Sequence, residues 1–151
     1  MTVDRERIAA EALAWVGTPY VHQASIKGVG CDCLGLVRGV WRSIEGDEPW
    51  VVPRYSPRWD ETTPAEPLLC GLRRHFVSRG QEIELGRVLA FRMTPGARVK
   101  HLGLVTGRRR HQWKVTHAYW GRAAVESWLS PWWHKRLVAS FEFPSLAAQS
   151  Q

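Results

Sequence analysis

Three segments in the first half of the chain place apolar side chains at helical spacing. The predicted helices cover residues 4–16, 33–44 and 67 to about 79. Gly17 and Gly46 follow the first two segments, where a glycine commonly ends a helix. Pro67 suits the first turn of the third, because a proline at that position loses no helical hydrogen bond.

The second half of the chain changes to patterns typical of β-strands. Strands are predicted at residues 86–93, 101–107, 112–119, 123–128 and about 135–143. The basic turn at 108–111 suits a hairpin between the second and third of them. Helices followed by antiparallel strands predict an α+β fold, in which N-terminal helices pack on a central antiparallel β-sheet of about five strands.

Length and composition favour one globular domain. The chain has 151 residues, of which 44% are hydrophobic and 23% charged, values that are ordinary for a folded domain. We therefore expect a single domain over residues 1–144 and a disordered tail at 145–151. A proline-punctuated segment between the second and third helices is long enough to fold over a cleft.

Nine tryptophans are unusual for a chain of this length. Seven of them lie in predicted loops or at strand edges: Trp50, Trp59, Trp113, Trp120, Trp128, Trp132 and Trp133. Their rings have the chemistry to line a groove for sugar or peptide, but filling a small core is the simpler interpretation of most of them.

The net charge of +7 and the pI near 9.9 predict affinity for polyanions. Charge alone admits nucleic acid, membrane headgroups or an anionic cell-wall polymer, but no nucleic-acid motif accompanies it, so we expect no nucleic-acid partner. The sequence also has no apolar run of about 18 residues and no signal-peptide pattern at its start, so we expect cytoplasmic synthesis and no membrane insertion. A substrate outside the membrane would then require a carrier.

The segment 30–41 places Cys33 where a glycine-bearing loop gives way to the second predicted helix. Unpaired backbone N–H groups and the helix dipole favour a thiolate in a first helical turn. We therefore predict that Cys33 has a lowered pKa and acts as a nucleophile.

The predicted hairpin supplies a base for this nucleophile. His101 begins one strand, and His117 follows sixteen residues later in the next strand, so strand pairing would bring the two rings together. A thiol, an imidazole and a second polar group that holds the imidazole's tautomer have the logic of a Cys-His-X triad.

Four pieces of the sequence, taken in order, resemble the NlpC family of papain-like cell-wall cysteine peptidases. They are Trp15-Val16-Gly17-Thr18-Pro19-Tyr20, Cys31-Asp32-Cys33-Leu34-Gly35-Leu36-Val37, His101-Leu102-Gly103-Leu104-Val105 and Val115-Thr116-His117-Ala118 with Ala124-Val125-Glu126. The run 20–25 and the Trp- and Pro-rich insert before residue 66 resemble the phage-type branch. The resemblance covers about residues 4–144 and implies a papain-like NlpC fold.

The resemblance also implies a role for each matched residue. Cys33 would be the nucleophile, His101 the base, His117 the third member, and Tyr20 a hydroxyl near the oxyanion site. Asp32 would cap the helix or bind a substrate amine, with capping as the safer interpretation. The family usually has Asp-Cys-Ser-Gly, whereas Leu34 stands here in place of the serine, which weakens any assignment of the usual subsite specificity.

The remaining cysteines leave a metal site as a minor alternative. Cys31 and Cys33 could ligate zinc together with histidines, but the usual paired spacings are absent, so we expect no metal and no cofactor. Cys31 is a packed neighbour or a redox partner of Cys33, and packing is favoured. Cys70, within the third predicted helix, is most simply a small core residue.

Together these features predict a peptidoglycan endopeptidase with a Cys-His-His triad. Its expected partners are stem peptides of the wall and the tail-tip or baseplate proteins of a phage or phage-like particle. Two alternatives stay open: a catalytically silent structural or wall-binding tail component, and an amidase or acyltransferase on the same fold.

Overall fold

The computed structural model describes residues 3–51, 66–119 and 121–149. The helices of these residues are α1 (Arg5–Leu13), α2 (Cys33–Ile44), α3 (Pro67–His75), α4 (Pro131–His134) and α5 (Pro144–Gln149). The strands are β1 (Ser25–Ile26), β2 (Gly30–Cys31), β3 (Val77–Ser78), β4 (Val88–Arg92), β5 (Val99–Arg109), β6 (Gln112–His117), β7 (Val125–Trp128) and β8 (Leu137–Glu142). The predicted α+β class is confirmed.

Helices α1 and α2 form where the periodicity predicts them. Asp4 caps α1 by accepting a hydrogen bond from the backbone N–H of Arg7 at 2.7 Å. Trp15, which follows α1, lies so close to Gly39 of α2 that any β-carbon there would clash with the indole ring. This contact brings the two helices together beneath the sheet.

Six strands form one antiparallel sheet in the order β3-β8-β4-β5-β6-β7. The five predicted strands correspond to β4 through β8, and the short strand β3 adds a sixth at the edge. The predicted hairpin joins β5 and β6, and Arg110 adopts a left-handed conformation at its turn. The pair β1–β2 forms a separate small hairpin directly before α2.

Three expectations differ from the structure. Helix α3 ends at His75 rather than near residue 79, because the chain then turns into β3. Cys70 is exposed, since α3 buries Leu68, Leu69 and Leu72 instead. The tail is helical as far as Gln149, because Leu146 and Ala147 are buried and Glu45 accepts hydrogen bonds from Ser145.

Most of the described tryptophans belong to apolar clusters. Trp50 packs beside Trp41 in the main core, and Trp113 and Trp133 pack against a second cluster on the other face of the sheet. Trp128 and Trp132 are 40% and 47% exposed, and they are the two exposed tryptophans among residues 3–51, 66–119 and 121–149. Trp59, Trp120 and most of the proline-punctuated segment lie outside the described residues.

A buried carboxylate and three arginines link α1 to the sheet. Glu142 is almost fully buried and receives two hydrogen bonds of 2.9 Å from the Arg5 guanidinium. Arg87 lies 3.5 Å and Arg79 3.6 Å from the same carboxylate. Although burial opposes it, the hydrogen bonds and positive charges of Arg5 and Arg87 lower the pKa of Glu142. We call these four residues the Glu142 cluster.

No helix in the described part of the chain has the length and hydropathy needed to span a bilayer.

Candidate active site

Asp32 organises the N-terminus of α2. Its side chain is buried and accepts hydrogen bonds of 2.7 Å from the backbone N–H groups of Gly35 and Gln23. Asp32 is therefore the N-cap of α2, and Cys33 is the first helical residue, as the sequence predicts. Gly35 is required here, because a β-carbon would collide with the Ala24 carbonyl.

Strand β5 approaches Cys33 through a β-bulge. Phe91 pairs with His101 and Arg92 pairs with Val99, so Lys100 is the extra residue in β5. The Cys33 thiol donates to the Lys100 carbonyl, with sulfur and oxygen 3.5 Å apart. The bulge thus places the residue that immediately precedes His101 against the candidate nucleophile.

The two histidines form a buried hydrogen-bonded pair. His101 Nε2 and His117 Nδ1 are 2.7 Å apart, and both side chains are at least 95% buried. On the far side, His117 Nε2 lies 2.8 Å from the Ser127 hydroxyl. The hairpin therefore brings His101 and His117 together as predicted, and β7 adds Ser127 to the chain of contacts.

Trp133 covers the histidine pair. Its ring stacks on His101 with centroids 5.2 Å apart and meets His117 edge to face at 5.1 Å. Phe91 lies 5.0 Å from Trp133 and 5.9 Å from His101. These aromatic contacts hold both imidazoles in place and exclude water from one side of the pair.

Tyr20 lies beside the N-terminus of α2. It forms an isolated parallel bridge with Cys31, two residues before Cys33. Burial, followed by the negative charge of Asp32, raises the pKa of Tyr20 to about 12. Its phenol is therefore protonated at neutral pH and has a hydrogen to donate.

The prediction of a lowered Cys33 pKa is wrong for this closed arrangement. Burial, followed by the negative charge of Asp32, raises the pKa of Cys33 to about 12. Hydrogen bonds from the backbone N–H groups of Leu102 and Leu34 act in the opposite direction. Desolvation and the neighbouring carboxylate thus outweigh the helix N-terminus, and the resting sulfur is a neutral thiol.

Both histidines are neutral at physiological pH. Burial lowers the pKa of His117 to about 4. Burial and the charge of His117 lower the pKa of His101 well below its usual value. A neutral imidazole is the form that accepts a proton, so this environment keeps a base available near Cys33.

The other candidate ligands do not form a metal centre. Among residues 3–51, 66–119 and 121–149, no group of three or more His, Cys, Asp or Glu side chains is placed to hold a metal ion. Cys31 is fully buried in the main apolar core, and burial and the Asp32 charge raise its pKa to about 11. Packing therefore explains Cys31.

The structure gathers the five predicted site residues around the first turn of α2 and the start of β5. Sequence reasoning missed Trp133 and Ser127. Trp133 belongs to a one-turn helix without a periodic signal, and Ser127 reaches His117 only through the register of β6 with β7. The catalytic roles of Cys33, His101, His117 and Tyr20, and substrate binding by Asp32, stay predictions.

The sequence matches no protein-family model and no curated relative, but the fold matches solved structures. The NlpC/p60 domain of the peptidoglycan hydrolase SagA is 21% identical with a TM-score of 0.62; the match covers 93% of this chain and 100% of that domain. A Bacillus cereus NlpC/p60 family protein is 18% identical with a TM-score of 0.65. That match covers 95% of this chain but only 41% of the B. cereus chain.

A third similar structure is that of Ly7917 with the hydrolysis product of MDP. It is 13% identical with a TM-score of 0.60, and the match covers 94% of this chain and 63% of Ly7917. All three align over more than nine tenths of the present chain, which therefore has the papain-like NlpC/p60 fold.

Proposed function

We propose that this protein is a cysteine peptidase that cleaves peptidoglycan stem peptides with a Cys33-His101-His117 triad. The observation that carries the proposal is the position of the half-buried Cys33 thiol. It lies at the first turn of α2 and against the bulge that leads directly into the His101–His117 pair. A purely structural role places no demand on these three groups together.

The mechanism begins with the neutral thiol and the neutral imidazole. His117 occupies Nε2 of His101, so Nδ1 is the atom that takes the Cys33 proton as the sulfur attacks the stem-peptide carbonyl carbon. The new carbon–sulfur bond moves the carbonyl π electrons onto oxygen. Collapse breaks the carbon–nitrogen bond, and His101 returns the proton to the leaving amine. Water then hydrolyses the thioester with His101 again as base.

The raised pKa of Cys33 does not prevent attack if the proton is transferred to His101 during the attack itself. A thiolate need not accumulate if the base removes the proton as the carbon–sulfur bond forms. His117 and Ser127 orient the His101 ring and support its positive charge in this step. Substrate binding also replaces water at the sulfur, which strengthens every polar contact in the site.

The oxyanion has two donors nearby. The backbone N–H of Cys33 belongs to the first turn of α2, and the protonated Tyr20 hydroxyl lies beside it. Removing one such donor typically costs about 3 kcal/mol of transition-state stabilisation. Asp32, which is the N-cap of α2, is also proposed to bind the substrate amine.

The identity of the bond follows from the family resemblance. The usual bond of the family joins D-γ-glutamate to a diamino acid, and the solved relatives include a named peptidoglycan hydrolase and a complex with a product of MDP. Leu34 stands where the family has a serine hydroxyl and packs against the core, so the assignment of this bond is the weakest part of the proposal.

We further propose that the protein acts as part of a phage or phage-like tail that locally opens the wall. The phage-type resemblance of residues 20–25 and the Trp- and Pro-rich insert supports this role. The net charge of +7 fits docking on an anionic wall. Tail-tip or baseplate proteins are the proposed partners.

One observation favours a catalytically silent wall-binding component instead. The raised pKa of Cys33 and the lowered pKa of His101 both disfavour a charged thiolate–imidazolium pair. The two functions predict different behaviour for a variant without the thiol, because binding does not use the sulfur.

Purified peptidoglycan and mass spectrometry of the released fragments test the proposal. The wild-type protein should release muropeptides, and Cys33→Ala should release none while it still sediments with the wall. Cys70→Ala is the matched control, because Cys70 is exposed on α3 and should keep full activity. Wall binding without release by the wild type would establish the silent alternative.

A further inference from the structure

A cavity of about 640 Å³ lies beside the candidate nucleophile, on the loop that joins β4 to β5. Its charged lining consists of Glu66, Arg92, Arg98 and Lys100. Lys100 is also the bulge residue whose carbonyl accepts the Cys33 thiol. The cavity therefore adjoins the site at a single residue, and its size is within the range of ligand pockets.

The lining carries one carboxylate against three cations. The Glu66 carboxylate accepts two hydrogen bonds from Arg92, at 3.0 and 3.2 Å, and one from the Val99 backbone N–H at 2.9 Å. The hydrogen bond from Arg92 is the main cause that lowers the pKa of Glu66, so this carboxylate is ionised. It neutralises Arg92, so ligand binding would depend on Arg98.

Arg98 has a buried hydrogen-bond donor that lacks an acceptor among the residues that the structure describes. This donor is the Nη1 atom of its guanidinium group. A buried guanidinium nitrogen without an acceptor is costly, because it loses water and gains nothing in return. An anionic ligand with two oxygens would satisfy the planar fork of this side chain.

We propose that this cavity is a carboxylate-binding subsite, in which Arg98 binds an acidic group of the stem peptide while the scissile carbonyl lies at Cys33. The proposal rests on the proposed function and extends it to substrate choice. Lys100 connects the two sites, because it lines the cavity and its carbonyl oxygen lies 3.5 Å from the Cys33 sulfur. Amidation of that carboxylate removes the charge that Arg98 recognises, so amidated walls should be poorer substrates.

Binding to the Cys33→Ala protein tests the subsite without any need for turnover. The probes are one synthetic stem tetrapeptide with free carboxylates and the same peptide with those carboxylates amidated, measured by isothermal titration calorimetry. A charge-assisted contact of this kind predicts that the acid form binds about 10- to 100-fold more tightly. Adding Arg98→Gln should abolish the preference, and Arg98→Lys should restore part of it.

Arg109→Gln is the matched control, because this exposed arginine lies at the opposite end of β5 and should leave the preference unchanged. Thermal unfolding of each variant shows that the fold is retained. Equal binding of both peptides, binding of neither, or an unchanged preference in Arg98→Gln would overturn the subsite. Acid-selective binding with no cleavage by the wild type would instead refute the peptidase and leave the subsite standing.

Discussion

The Glu142 cluster and the Cys33 site both bury polar side chains, but they satisfy them in different ways. In the Glu142 cluster, three guanidinium groups surround one carboxylate, so the buried negative charge is stabilised by positive charges. At the Cys33 site, backbone N–H groups hold Asp32, and the histidines bond to each other and to a hydroxyl. The first arrangement stabilises the fold, whereas the second keeps reactive groups neutral and close together.

This difference explains the opposite directions of the pKa shifts. The arginines lower the pKa of Glu142 and hold it ionised, because they stabilise its charge. Asp32 lies beside Cys33 and Tyr20, and its negative charge raises the pKa of both beyond the effect of burial. A carboxylate next to a titratable group shifts that group's pKa, and such shifts are typical of reactive sites.

The largest expected effect separates stability from activity. Glu142→Gln removes the buried negative charge that Arg5, Arg79 and Arg87 share, so we expect a loss of about 3–5 kcal/mol in the free energy of unfolding. Activity per folded molecule should stay within about twofold. Urea denaturation and peptide release measure the two quantities. Glu82→Gln is the control, because this carboxylate is 81% exposed and should change stability by less than about 0.5 kcal/mol.

The Glu142 cluster and the histidine pair of the Cys33 site should also lose their contributions to stability in different pH ranges. The folded pKa of His117, about 4, lies below the usual 6.5, so the unfolded chain binds the proton first as the pH falls. Stability is therefore lost between pH 6.5 and 4, by up to roughly 3 kcal/mol.

His117→Asn should remove the part of that slope that His117 contributes and leave the part that buried His101 contributes, as measured by urea denaturation at a series of pH values. The lowered pKa of Glu142 gives stability that is present above its ordinary value of 4.5 and is lost as the pH falls through the folded pKa. Glu142→Gln should flatten only this lower range. If both variants reduced the pH dependence of the unfolding free energy over the same pH range, the two regions would not titrate separately.

A smaller effect is expected from removing the Asp32 charge. Asp32→Asn keeps a capping oxygen but no longer raises the pKa of Cys33 by its charge, so alkylation by iodoacetamide at pH 8 should become about 3- to 10-fold faster. Asp4→Asn is the matched control, because Asp4 caps α1 in the same way without contact to a thiol. Mass spectrometry of the alkylated peptides distinguishes the three cysteines. An unchanged rate at Cys33 would show that burial alone sets its pKa.

The smallest expected effect concerns the outer end of the histidine pair. Ser127→Ala removes the hydroxyl at His117 Nε2, and kcat should fall about 3- to 10-fold with KM nearly unchanged. Ser127→Thr should recover most of the rate. Ser140→Ala is the control, because it removes a buried hydroxyl from another part of the sheet and should leave kcat unchanged. A change in KM alone would mean that Ser127 does not act through His117.

The sequence predicts the helices and strands that are long enough for their apolar residues to repeat at a recognisable spacing. Helix α2 is an example, because its apolar face recurs over twelve residues. The pairs β1–β2 and β3–β8 join only two residues on each short strand, so they leave no periodic signal. Helix α5 was missed because two small buried contacts, and not a long apolar face, hold it in place.

The candidate site likewise contains some residues that local sequence patterns reveal and others that only tertiary contacts reveal. Cys33 and the two histidines follow from a helix start and a hairpin, which are local features. Trp133 and Arg98 acquire their importance only from tertiary contacts, a stacked imidazole for one and a cavity for the other. The pKa of Cys33 was mispredicted because the helix N-terminus is visible in the sequence, whereas burial and the Asp32 charge depend on packing.

The bulge at Lys100 has a consequence for redesign. Side chains of a strand alternate between its two faces, so an inserted residue normally reverses every position beyond it. Here the extra residue is absorbed between the Arg92–Val99 and Phe91–His101 pairs. Residues 93–98 form the loop just outside this point. We therefore expect that loop to accept another length and charge while His101 keeps its alignment, and under the proposed subsite such an exchange would change the preference for amidated stem peptides.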